Sequence, residues 1–488
     1  MLLGEILMKP RNVEVLDKNE IEQIHHATLT VLEKTGINVN EEQARNILRK
    51  NGATVDDAKK RVWIPRSLLE DNVKKAPSEF IMHARDPKLN LKIDLDTVYI
   101  EPMVGRLNIL DASTGKRRRT TLKDLEHLMK VANAMPNFHL LHSGAMMPHI
   151  EGIQDSVAHV HGYFTAIKNA QKVVKGTGRG TSKAEDCMRM AAVLAGGKEE
   201  LRKNAWVFTT CNTISPLQLD KPQVEGIIVY ARYGQPVDIT AEVQSGGTAP
   251  VTLAGALVVQ NCEVLTGILI AQLVNPGTPV FYGTCGGIMD MRMADISLGC
   301  VESGLINIAS AQLAHHYKIP CRGTAATTES KALDMQAGYD KALTLMMAAQ
   351  GGANTIFYPG VMDHALTISL ESYVIDNEIA GMVFRALRGI EVDEEHLAVD
   401  IINKVGPIGH FLNQKHTMQY LLKEHYMPTI SDRRLREDWE KDGSKELKDV
   451  AKERVQKILK EHTPMELDKD KEKELRAIIK EVEKREKV

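Results

Sequence analysis

The chain has 488 residues, room for one large core or for two or three smaller ones, and carries 62 Lys+Arg against 64 Asp+Glu. That balance speaks against a nucleic-acid-binding surface, which needs a field of one sign. Six cysteines, at 187, 211, 262, 285, 300 and 321, show no Cys-x-x-Cys spacing in a chain too long to need disulfide stapling. A reduced, cytoplasmic protein is expected.

The N-terminus, MLLGEILMKPRNVEVL, has an apolar patch but no charged leader, long apolar run or small-residue cleavage site. No apolar run reaches ~18 residues, so no membrane span is expected. Residues 1–135 read as an α+β extension, with a helix over about 18–35, a short strand at RVWIP and a helix through LKDLEHLMK.

From there the pattern repeats. β-rich runs fall at Phe138–His142, Lys172–Lys175, Trp206–Thr210, Val237–Ala241, Val280–Tyr282, Ile319–Arg322 and Thr355–Tyr358. They start roughly 30 to 45 residues apart, and a helical segment follows each, the period of βα units with right-handed crossovers. Every run opens into Gly or small polar residues, among them HSGAMMPH, KGTGRGTS, AEVQSGGTAP, RGTAATTES and YPGVMDH. Seven units predict an α/β fold, a (β/α)8 TIM barrel over 136–395. Its eighth strand falls at Thr97–Glu101 or Gly389–Val392; a doubly wound sheet is the alternative. Residues 396–488 read as a helical region, its last stretch a Lys/Glu-rich solvated helix.

The loop-bearing ends are where such a fold keeps its chemistry. KGTGRGTSKAED follows a strand but lacks the phosphate-loop and dinucleotide-binding patterns, so it reads as a tight βα turn. Cys211, Cys285 and Cys321 sit at strand ends and offer an alternative zinc-assisted reading, although none has ligand spacing. Asp155, His159 and His161 lack a metal motif and read as packing residues. Glu242 and Gln244 alternate on a strand, so both can face the strand-end opening, where a carboxylate attracts a cation. Tyr99, Tyr282 and Phe357 are candidate walls for a quaternary ammonium, which aromatic faces bind by cation–π attraction. The stretch Ile319–Lys341 stands out: it leads from a strand through small hydroxyl residues into a helix, with no nucleophile–base pair.

The segments ARYGQPVDI, SGGTAPVTLAGALVVQNCEVLTGILIAQL, TTESKALDMQAGYDKALT, GANTIFYPGVMDH and LAVDIINKVGPIGHFL, taken together, resemble the trimethylamine methyltransferase family over nearly the whole chain. The resemblance implies a barrel enzyme that moves a methyl group from an amine to the Co(I) of a separate corrinoid protein. It implies that founding members carry pyrrolysine where this chain has Thr327. Pyrrolysine serves to help a poor amine leaving group depart; a quaternary ammonium already carries that charge. The branch without pyrrolysine acts on betaine-type quaternary amines, and such a substrate is expected here.

On that reading Thr327, Thr328 and Glu242 form the catalytic set, the threonines shaping the former pyrrolysine pocket. Tyr99, Tyr282 and Phe357 would face the ammonium and Glu242 or Glu371 would neutralise it; Gln244 is a further substrate-binding candidate, and Arg322 and His364 would hold the substrate's acidic tail. Lys331, Asp334 and Gln336 would order the loop. No metal site and no permanently bound cofactor are expected, and cofactor-binding residues are unassigned. Expected partners are the corrinoid protein, the quaternary amine and further copies of the chain, with neither nucleic acid nor membrane. A barrel that binds a betaine without turnover is the alternative from another class.

Overall fold

The computed structural model describes residues 13–104, 108–111, 114–144 and 150–488. Most of the HSGAMMPH loop and the first twelve residues therefore lie outside the described residues. The chain opens with α1 (Lys18–Lys34), started by a reciprocal cap in which Asp17 accepts from the Glu20 amide and Glu20 from that of Asp17.

Eight short strands carry the central α/β layer: β1 (Tyr99–Glu101), β2 (Leu140–His142), β3 (Val173–Lys175), β4 (Thr209–Asn212), β5 (Val237–Ala241), β6 (Val280–Thr284), β7 (Cys321–Thr324) and β8 (Thr355–Phe357). Six form one all-parallel sheet in the order β4-β5-β6-β7-β8-β1, and β2 and β3 form a parallel pair. A parallel bridge links Lys175 of β3 to Phe208 just before β4, and the His139 amide donates to Ile100 O of β1 at 2.9 Å. Of the two candidate segments for a further strand, Thr97–Glu101 supplies β1, whereas 389–392 has no strand. At β6 the sheet tolerates only glycine: a Cβ on Gly283 would lie 2.0 Å from Thr240 Oγ1.

Helices separate the strands: α2 (Leu122–Ala134), α3 (Ala158–Asn169), α4 (Thr181–Ala195), α5 (Lys221–Arg232), α6 (Leu253–Val274), α7 (Val301–His316), α8 (Met335–Gly351) and α9 (Leu370–Arg388). Side-chain oxygens of Thr121, Asp220, Asp334 and Ser369 cap α2, α5, α8 and α9. By length and composition α6 is apolar enough to cross a membrane, but most of it is buried in the core. Three of its polar residues explain why it belongs there. Gln260 donates to Ser310 Oγ, Asn261 to Thr28 Oγ1, and Glu263 accepts from Thr213, Ser215 and the Leu217 amide. Two C-terminal helices, α10 (Leu447–Glu461) and α11 (Lys469–Glu486), pack back on α2 and α9 and on α3 and α4 respectively.

Alternate strand residues share a face, and the face opposite the helices is layered. At the strands' N-terminal ends Leu140, Val173, Phe208 and Phe281 pack on the hairpin Phe80–Met82/Leu91–Ile93. A charged layer follows, then the C-terminal ends, which open into the loops and are called the mouth below.

Candidate active site

The charged layer comes from one residue per strand. Lys175 Nζ of β3 donates to Glu101 Oε1 of β1 at 2.7 Å, and both side chains are fully buried. Arg322 of β7 pairs with Asp238 of β5, Nε to Oδ2 3.3 Å, while Thr210 and Thr240 hydroxyls donate to the same carboxylate at 2.6 and 2.7 Å. Both cations lie over the Phe357 ring of β8, its centroid 4.6 Å from Lys175 Nζ and 4.1 Å from Arg322 Cζ. His142 stacks on the same ring at 5.6 Å. Burial, and secondarily the Arg322 charge, pull the Lys175 ammonium below its usual range, against Glu101 and Asp238, which favour the charged form. Two cations and two anions make the layer neutral, as a buried charge cluster must be.

Two expected substrate contacts are therefore already committed: Arg322 to Asp238 and Thr324, and Phe357 to two protein cations and a histidine. The zinc grouping also fails to assemble. Cys321 is one residue from Arg322 and so faces the helices, Cys285 packs at the mouth with Tyr358, and Cys211 lies on β4, with β5 and β6 between it and β7. Burial raises the Cys285 thiol to about 12, with Glu242 adding to the rise, so it stays protonated.

Above Phe357 the mouth becomes mixed. Met103, Cys285, Leu298, Tyr358 and Val361 form an apolar cluster with the Phe357 ring. Tyr358 adopts φ +102°, a conformation unfavourable for a bulky residue, and its ring meets Phe357 edge-on at 4.5 Å. Glu242 continues the Asp238–Thr240 side of β5 to this level, half-buried and electrostatically coupled to Cys285. Gln244 pairs beside Gly287, at the foot of the hairpin Gly287–Asp290/Asp295–Ser297.

The loop after β7 is braced from several sides. Thr328 Oγ1 donates to Asp340 at 2.7 Å, and Glu329 accepts from the Leu298 and Gly299 amides at 2.8 and 3.0 Å. Asp334 caps α8 and accepts from Ser330, and Gln336 Nε2 donates to Asp340 at 3.3 Å. Buried Lys341 donates to Ala326 O and to Asp376 of α9, which in turn accepts from the Gly360 amide. This bridge couples the loops after β7 and β8. Within the braced loop, Thr327 Oγ1 is buried without a hydrogen-bond partner, and the neighbouring Ala326 has φ +56°.

After β8, Asp363, His364 and Ala365 are all left-handed, with φ 57°, 51° and 58°. The turn is pinned by the Asp363 amide donating to Ser330 O and by Arg117 pairing with the Asp363 carboxylate at 2.8 Å. It presents His364 at the rim, Nδ1 3.1 Å from Ile296 O and Nε2 3.3 Å from Lys331 Nζ.

The structure thus gathers Glu242, Phe357, Tyr358 and Cys285, and joins His364 to the Thr327–Thr328 loop through Lys331. Arg322 stays in the layer below and Gln244 beside Gly287, and three further expected ligands are not gathered. Tyr99 lies at the N-terminal end of β1, its hydroxyl donating to Lys92 O at 3.0 Å. Tyr282 faces α6, donating to Asn261 at 3.0 Å, because its neighbours Phe281 and Gly283 take the inner positions. Glu371 stays in the first turn of α9, accepting from Ser369 Oγ at 2.8 Å. The sequence reading missed Glu101, Lys175, Asp238, Lys341 and Asp376. Asp238 and Lys175 had a signal, a charge inside or ending an apolar strand run, which requires a buried partner.

The fold is that of a solved Methanosarcina barkeri monomethylamine methyltransferase, with a TM-score of 0.53 at 13% identity over 99% of this chain and 89% of that one. That likeness defines the fold, an α/β architecture built on a parallel sheet. The chain is 39% identical to a glycine betaine methyltransferase of Desulfitobacterium hafniense, covering 98% of both, and 34% identical to a trimethylamine methyltransferase of the same species, covering 95% and 93%. It belongs to the trimethylamine methyltransferase (MTTB) family, whose profile matches residues 2–487.

Proposed function

We propose that this methyltransferase demethylates a betaine-type quaternary amine, passing the methyl group to the Co(I) of a separate corrinoid protein. The observation that carries the reading is the end-to-end likeness to a glycine betaine methyltransferase, in a chain with Thr327 where the resemblance expects pyrrolysine. In the reaction Co(I) supplies the electron pair that forms the Co–C bond, the C–N bond breaks, and its pair stays on nitrogen. A neutral tertiary amine leaves and no proton moves, which fits a mouth where burial and Glu242 keep the Cys285 thiol protonated.

The residues bind and aim. Glu242 balances the ammonium, and the Tyr358 face takes the cage role, since the Phe357 ring already meets Lys175 and Arg322. Thr327 and Thr328 wall the methyl group being transferred, and the Thr327 hydroxyl, without a hydrogen-bond partner, is one polar atom available to a substrate. His364 with Lys331 holds the carboxylate tail at the rim. Gln244 borders the opening. Excluding water from the cation raises its reactivity toward a soft nucleophile.

In the architecture we infer, the two links at Lys175–Phe208 and His139–Ile100 close the eight strands into a (β/α)8 barrel. An N-terminal extension to about residue 135 lends it β1, and a helical region follows from about residue 396. A cytoplasmic protein suits both a reduced cobalt partner and the free thiols.

The test is product analysis by mass spectrometry after incubation with reduced corrinoid protein and, separately, glycine betaine, proline betaine, carnitine and trimethylamine. A demethylated tertiary amine from at least one quaternary substrate is expected. Binding of a betaine with no product from any substrate would replace the enzyme reading with the binding-protein one.

A further inference from the structure

Residues 390–423 leave α9 and return to it without joining the core. Arg385 closes the base, donating from Nη1 to Gly389 O at 2.9 Å and pairing through Nη2 with Glu424 at 3.1 Å. Arg388 adds a bond to Lys423 O at 2.6 Å. Between these anchors only Tyr420 is buried. The helices Glu394–Leu397 and Val399–Val405 bury nothing, and isolated helices of such length are not stable in water.

The excursion is nevertheless apolar. Eleven large apolar side chains in it are exposed, including Met418 at 79%, Leu412 at 82% and Leu422 at 74%. At roughly 100 Å² apiece they offer on the order of 1,000 Å² of apolar surface. A stable interface takes about 800 Å² per partner, and monomers rarely leave such a patch open.

We propose that residues 390–423 are an arm that pairs with the same arm of a second copy of this chain. Three observations choose that occupant. The arm is dipolar: Glu391, Asp393, Glu394, Glu395 and Asp400 crowd its first third, while Lys404, Lys415 and Lys423 lie beyond. In a two-fold interface each segment meets its counterpart reversed, so the acidic third of one copy faces the lysines of the other. The apolar area suits a permanent interface rather than a transient one. The arm also sits at the wrong end for a methyl acceptor: α9 starts at the mouth, beside Gly360, and runs about 28 Å before the arm begins. Pairing there leaves both mouths open.

The experiment uses the full-length protein. Sedimentation between 1 and 50 µM is expected to give a dimer or a multiple of it, and Leu412→Glu with Leu422→Glu to weaken self-association at least 100-fold without loss of helical circular dichroism. Since a variant can misfold, a second arm uses wild type: light and heavy isotope-labelled copies are mixed, exchanged and cross-linked. Mixed-isotope links joining Lys404, Lys415 or Lys423 of one copy to the arm of another are expected. A wild-type monomer at every concentration overturns the proposal, as does an oligomer whose mixed links all lie outside the arm. Neither readout uses substrate, so failure here leaves the methyltransfer reading untouched.

Discussion

The charged layer and the mouth above it hold similar residue types a few ångströms apart, yet one is closed and the other open. In the layer every charge has its opposite: Lys175 with Glu101, Arg322 with Asp238. At the mouth Thr327 Oγ1 has no partner, Tyr358 is held at positive φ, and His364 is lifted to the rim by three consecutive left-handed residues. Backbone conformations of that cost persist where the surrounding structure enforces them, and they collect at binding sites. Charge alone therefore does not mark this site. The enforced backbone conformations at Ala326, Tyr358 and Asp363 to Ala365 do.

The contrast breaks if the layer is dispensable for folding. Lys175→Met strands a buried Glu101 carboxylate and should cost about 3–5 kcal/mol in urea unfolding. Adding Glu101→Leu removes the orphan and should recover most of the loss; no recovery would mean that the layer does not act as a pair. At the mouth the effect should appear in binding. His364→Ala is expected to weaken betaine binding by about tenfold, ~1.4 kcal/mol, in calorimetry. Tetramethylammonium, which has no carboxylate, should bind as before, and equal losses for both ligands would remove the tail-holding role.

A pH-dependent effect belongs to Glu263, whose carboxyl burial raises from 4.5 to about 7 despite three donors to it. The folded protein then holds a proton that the unfolded chain releases, so stability falls as pH rises from about 4.5 to 7, by at most ~1.4 kcal/mol per pH unit. Glu263→Gln should flatten that slope; an unchanged slope would place the titration elsewhere.

Much of the strand pattern was legible because β-rich runs recur between helices. Their edges were not, since pairing rather than propensity sets them. The run read at Ile319–Arg322 pairs as Cys321–Thr324, because Pro320 has no amide to give a neighbour. The Trp206–Thr210 run pairs as Thr209–Asn212, where its neighbour Val237–Ala241 lies. Strand β1 was only one of two candidates, because it precedes the repeating units and a hairpin intervenes before β2. Strand faces were harder still. When both sides of a strand are buried, no polar alternation tells inside from outside, and Tyr282 was assigned to the side that Phe281 and Gly283 occupy. The loop threonines and His364 were readable as a group only beside the family. The bridge from Lys341 to Asp376 joins residues 35 apart in the chain and has no local signature.

The central claim concerns the charge on the departing nitrogen. The most direct measurement follows the absorbance change from Co(I) to methyl-Co(III) on the corrinoid protein, with glycine betaine-type quaternary amines and trimethylamine supplied separately at equal concentration. The account predicts methylation by a quaternary amine and none by trimethylamine; turnover of trimethylamine with every quaternary amine silent would contradict it.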